Sequence, residues 1–155
     1  MPRKLEVLLK GGHVIDPAND IDDDMDVAVV GDRIAAVDRD IPSEKAGKVA
    51  NVDGYYVTPG LIDIHLHAYG GYKGWMFPDE HVLPHGVTTV VDTGGAGWKK
   101  FEHFRETIIA DSRTRVLALI NIVGAGMEGA VEQDTSEMDP IPCAAMISKY
   151  PEHVI

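Results

Sequence analysis

From residue 60 to the C-terminus, short apolar runs alternate with stretches of helical spacing, and few folds accept that order. Residues 60–67 form a continuous apolar run of the kind buried in parallel sheets. Residues 79–84 allow only a short helix, closed by His85-Gly86. Residues 87–91 are β-branched and read as a second strand, ending at Asp92-Thr93-Gly94-Gly95. Residues 98–110 then carry Trp98, Phe101 and Ile108 along one helical stripe. A third strand is expected over 115–123 and a third helix over 142–150, stopped by Pro151. Residues 152–155 read as a fourth strand beginning. Parallel neighbours need crossover connections, so the order predicts βα units. A closed (β/α)8 barrel takes about 250 residues. The expected fold class is therefore α/β: the N-terminal part of a (β/α)8 TIM barrel, about three βα units, from a longer protein.

Residues 1–57 follow a different grammar and are expected to form a small β-sandwich segment ahead of the barrel units of 58–155. Leu5, Val7 and Leu9 alternate with Glu6 and Lys10, and Gly11-Gly12 is expected to turn the chain into His13-Val14-Ile15. Gly31-Asp32 and Asp53-Gly54 sit between β-forming runs and predict hairpins, because such turns need positive φ. The segment is thus expected to be antiparallel. Asp22-Asp23-Asp24 lacks the spaced ligands and the glycine of a calcium loop and reads as a solvated loop.

The first barrel strand ends in His65-Leu66-His67. On a strand, side chains two apart share a face, with Cβ atoms roughly 6.5–7 Å apart. Two imidazoles so placed can lean onto one Zn²⁺ at about 2.0–2.1 Å. Asp63 shares their face by parity, either accepting from an imidazole N–H or anchoring the strand. Composition removes other classes. With 14 Lys and Arg against 25 Asp and Glu, the net charge is −11, which disfavours nucleic acid and anionic membrane as partners. No run approaches the ~20 apolar residues that span a bilayer. Cys143 is the single cysteine; its apolar neighbours suggest packing, and a cytoplasmic setting is expected.

The stretch from Thr58-Pro59-Gly60 through His65-Leu66-His67, followed by Gly86-Val-Thr-Thr-Val-Val-Asp92, resembles the amidohydrolase superfamily of metal-dependent hydrolases. Residues 70–75 and 92–98 resemble its dihydroorotase-like amidohydrolase/deacetylase subgroup. The resemblance implies one or two divalent metals, usually zinc, at the C-terminal mouth of the barrel, with His65 and His67 as ligands. It implies a deacetylase-like hydrolase of amide or ester bonds in acylated small molecules, acting through metal-activated hydroxide. The bridging lysine, two further histidines and the aspartate of related binuclear members have no match here; Lys149 precedes Pro151 on a helix and does not fit. Catalytic residues are expected beyond Ile155, so this chain alone is expected to be inactive. Dihydroorotases place an arginine two residues after the histidine pair, where this chain has Tyr69, which removes a bidentate carboxylate clamp.

Around the mouth, Tyr69, Thr93, Gly94 and Asn121 are candidate substrate contacts, and Tyr72, Lys73 and Trp75 candidate specificity residues. His13, His81, His85, His103 and His153 lack motif context and read as surface or capping histidines. Two alternatives stand beside the deacetylase reading: a non-catalytic metal-binding or interaction module, and a cyclic-amide hydrolase. An unpaired parallel edge predicts a homo-oligomer.

Overall fold

The computed structural model describes residues 5–70 and 76–155. Tyr72, Lys73 and Trp75 lie outside them. The chain divides into two compact units, Met1–Pro59 and Gly60–Ile155.

The first unit is one mixed sheet. β1 (Leu5–Asp16) is flanked by β2 (Ile21–Val30), with β3 (Arg33–Asp38) outside it, while β4 (Ala46–Asn51) and β5 (Tyr56–Val57) line its other edge. The Gly31-Asp32 hairpin joins β2 to β3 as expected, pairing Val30 with Arg33. Two other expectations fail. Gly11-Gly12 is not a turn: β1 runs through it, and the register against β2 slips between Leu9 and Gly12. A Cβ on Gly12 would lie 2.6 Å from Val57 and 2.9 Å from Val52, so the glycine admits these side chains to the strand. Nor does Asp53-Gly54 close an antiparallel hairpin. β4 and β5 both pair parallel with β1, at Leu5 to Lys10 and at His13-Val14, so the chain bends there and carries on along one partner.

Asp22-Asp23-Asp24 lies within β2 rather than in a loop, its Asp22 and Asp24 bonded to His13 and its Asp23 to Arg39. The buried carboxylate of Asp26 accepts from Lys10 Nζ (2.7 Å), Ile41 N (2.8 Å) and Gly11 N (2.8 Å). Burial alone would raise its pKa, but Lys10 and the two backbone donors hold it below the usual carboxylate value. Leu8, Ala28 and Ile41 form the core of this unit.

In the second unit β6 (Leu61–Leu66), β7 (Val87–Gly97) and β8 (Arg115–Asn121) are parallel, in the order β6-β7-β8. Val154 pairs in parallel with Ala118, with Ala118 N donating to His153 O (2.8 Å) and Ile155 N to Ala118 O (3.1 Å), as the expected fourth strand requires. The connections are helical: α1 (Pro78–His81), α2 (Phe101–Phe104) widening into a π turn at Arg105–Ile109, and α3 (Pro140–Lys149). The second helix starts three residues later than its periodicity suggested, because β7 runs on to Gly97 and residues 98–100 form the turn leaving it, with Lys99 N donating to Gly124 O (3.1 Å) and Lys100 N to Gly97 O (2.9 Å). Asp139 caps α3 through Ile141 N. Leu66, Val90, Val116 and Ala118 pack with Phe101 and Phe104 in the core. Cys143 is buried there too, and burial pushes its thiol pKa up, in keeping with a packing role. No helix among the described residues is long and apolar enough to cross a membrane.

Candidate functional site

His65 and His67 stand side by side where β6 gives out, their ring centroids 5.6 Å apart and edge to face. Strict alternation is not what brings them together. Asp63 pairs with Val90 and Leu66 with Asp92, so Ile64 and His65 together face one residue, Val91. This bulge frees the His65 N–H from the ladder, and Asp63 Oδ1 takes it at 3.0 Å. Asp63 therefore fixes His65 through its backbone rather than through an imidazole. His65 is exposed and His67 half-buried.

Past Leu66 the ladder ends, and Asp92 takes over. Its carboxylate, 0% exposed, accepts from Ala68 N (2.6 Å) and Tyr69 N (3.0 Å) through one oxygen and from Gly95 N (2.7 Å) through the other. Sequence reasoning placed Asp92 at a strand end, whereas β7 runs on to Gly97 with Asp92 inside it, and it missed this role. The usable signal was a lone acidic residue closing a β-branched run of the sort that is buried.

The candidate substrate contacts have structural partners. Tyr69 is buried against Phe104 with its hydroxyl 3.1 Å from His103 Nδ1, and burial raises its pKa. Thr93 donates to Leu66 O (3.3 Å). Asn121 donates to Gly94 O (3.2 Å) and accepts from Val123 N (3.0 Å), which ties the end of β7 to the segment leaving β8. The glycines here serve close backbone packing. A Cβ on Gly97 would run into the carbonyls of Val123 and Gly124, and one on Gly126 into Gly95 O and Gly97 N. His81 bonds the Phe77 backbone, and His103 is exposed.

The histidine pair has the character of an incomplete metal site. His67 Nδ1 is buried and, among the described residues, without a hydrogen-bond partner. A ring nitrogen so placed has an unmet proton or lone pair, which native structures rarely tolerate. Two imidazoles side by side, one with a buried nitrogen unclaimed by the described residues, are a donor set that fits zinc. Among the described residues no third His, Cys, Asp or Glu joins them.

No family model matches the chain. A deacetylase of Agrobacterium fabrum is 36% identical over 104 residues, which is 66% of this chain and 26% of that protein. A crystal structure of a dihydroorotase has a TM-score of 0.81 at 28% identity, covering 96% of this chain and 41% of that one. One of an adenine deaminase has a TM-score of 0.80, also at 28% identity, covering 97% of this chain and 40% of that one. The chain therefore spans well under half of each.

Proposed function

From a chain homologous to the N-terminal portion of amidohydrolase-superfamily proteins, we infer a deacetylase-like metal-dependent hydrolase that acts on amide or ester bonds of acylated small molecules. The observation that carries this reading is the adjacent His65 and His67 rings with the buried His67 Nδ1, unclaimed by the described residues. A divalent metal held there, zinc above all, would supply Lewis acidity and a nucleophile competent at neutral pH. The chain's own residues do the positioning. Asp63 holds the His65 backbone, and the end of β7 and the segment leaving β8 are joined through Gly94 and Asn121.

The likeness to a dihydroorotase structure makes a cyclic-amide substrate the second reading. Tyr69 weighs against dihydroorotate: it lies in the core bonded to His103, and no cation occupies its position two residues past the pair. Catalytic zinc sites commonly use three protein ligands, so the 155 residues by themselves are expected to bind metal without turnover.

An optical titration with Co²⁺ tests the site. The chain is expected to bind, and His65→Ala and His67→Ala each to weaken binding by about 10-fold or more, as loss of a first ligand exceeds the 10–100-fold cost of losing an outer partner. Unchanged binding in both variants would refute the site. Turnover of an N-acetyl amide by the pure chain would refute the expected inactivity.

A further inference from the structure

Between the end of β6 at Leu66 and Gly70, the backbone carrying His67 is no longer held by strand pairing on β7. Asp92 replaces that hold. Ala68 and Tyr69, the two residues following His67, both donate to one of its oxygens, and Gly95 donates to the other. Asp92 is the one buried carboxylate among the described residues of its unit, and its bonds all go to backbone donors rather than to an imidazole. Gly95 leaves space for it: a Cβ there would sit 2.8 Å from both carboxylate oxygens. Three backbone donors shared between the two oxygens fix the carboxylate, and with it the peptide that follows the His67 ring.

We propose that Asp92 is a positioning residue of the histidine pair, which sets the orientation of the His67 ring by clamping Ala68 and Tyr69 to the irregular stretch of β7 at Gly95. It acts on the ring through the backbone, without touching metal or substrate. The proposal deepens the reading of His65 and His67 as ligands and rests on it only in the metal-binding arm of its test.

Asp92→Asn is the informative change. One oxygen becomes an NH₂, so a donor faces a backbone donor and at least one of the three bonds is lost. The primary readout needs no metal: the imidazole resonances of His67 in a metal-free NMR spectrum. In Asp92→Asn they should move or broaden, while those of His13 stay in place. Val116→Ala, a core truncation in the same unit, should leave His67 where it is. An unmoved His67 ring in Asp92→Asn, or an equal change in Val116→Ala, overturns the proposal. Should Asp92→Asn not fold, hydrogen exchange in the unaltered chain decides. The amides of Ala68, Tyr69 and Gly95 should share one high protection factor, each rate being divided by that amide's intrinsic rate, and three independent protection factors overturn the proposal. In the metal arm, Asp92→Asn should lower Co²⁺ affinity by about 10-fold or more, and undiminished affinity overturns the proposal. Failure of the unaltered chain to bind Co²⁺ would sink the metal reading alone, with the ring resonances still deciding the role of Asp92.

Discussion

His13 bonds a different carboxylate through each ring nitrogen, Asp22 at 2.7 Å on Nε2 and Asp24 at 3.0 Å on Nδ1. Only the doubly protonated ring can donate to both. Asp22 first and Asp24 second raise its pKa above the ordinary histidine value. A raised folded-state pKa contributes stability that is fully present below the unfolded pKa, near 6.5, and is lost as pH rises through the folded value. The urea midpoint of the first unit should therefore fall as pH climbs above about 6.5. His13→Gln should flatten that slope, and an equal slope in both proteins would refute the link. Single residues were legible to different degrees. The His-x-His pair stood out because it closes an apolar strand that begins at Thr58-Pro59-Gly60, a context its spacing alone would not supply. The pairing of His13 with the aspartates did not, since it depends on the register that sets His13 opposite Asp24. Asp92 was hidden for the same reason: two of its three partners, Ala68 N and Tyr69 N, come from the segment that follows the neighbouring strand β6.

Elements were read best where periodicity and length agree. β6, β8 and α3 lie close to where the sequence placed them, because apolar runs and a capped, proline-stopped helix leave few choices, whereas β7 runs six residues past the expected end at Val91, through Gly94-Gly95 to Gly97. Glycine misled in the first unit. Gly11-Gly12 looks like a turn, yet it lies inside β1, and bulk at Gly12 is the constraint; Asp53-Gly54 does turn, with Gly54 at φ 77° and Tyr55 N donating to Val52 O (3.0 Å), but between two strands that both run parallel to β1. The bulge at Ile64 and His65 carries no glycine to announce it. In the second unit the strand exits meet backbone to backbone. Gly97→Ala and Gly126→Ala should each destabilise by roughly 3 kcal/mol or more, since the new methyl meets main chain that cannot swing aside. A Cβ on the exposed Gly31 meets nothing within 4 Å among the described residues, but its φ of 62° costs an L side chain, so Gly31→Ala should lose about 1 kcal/mol, less than either. Equal, small losses at all three positions in chemical denaturation would show that the seam can open.

At the scale of the whole chain, each unit has its own buried cluster, Leu8 with Ala28 and Ile41 in one and the Phe101–Phe104 group in the other. Each also carries its own responsive group, His13 in the first and the histidine pair in the second. A metal that binds only folded protein stabilises by about 2.7 kcal/mol at a hundred times its Kd. Zinc should therefore raise the melting temperature of the second unit, while a pH shift above 6.5 should lower that of the first. Scanning calorimetry with both variables changed in turn would separate the two, and a single transition answering equally to both would contradict it. The division near residue 60 was visible in the change from β grammar to βα grammar. The mixed pairing of the first unit was not, because nothing local records which strand a neighbour chooses. The join between the exits of β7 and β8 is largely peptide to peptide, Lys99 N donating to Gly124 O (3.1 Å) and Met127 N to Gly95 O (3.2 Å), with the Asn121 amide and the Trp98 indole each bonded to a carbonyl across it. Such a wall has few free side chains with which to reshape itself around a guest. It holds its contour or parts as a unit, so any breadth in what the protein accepts must come from other sides of the mouth.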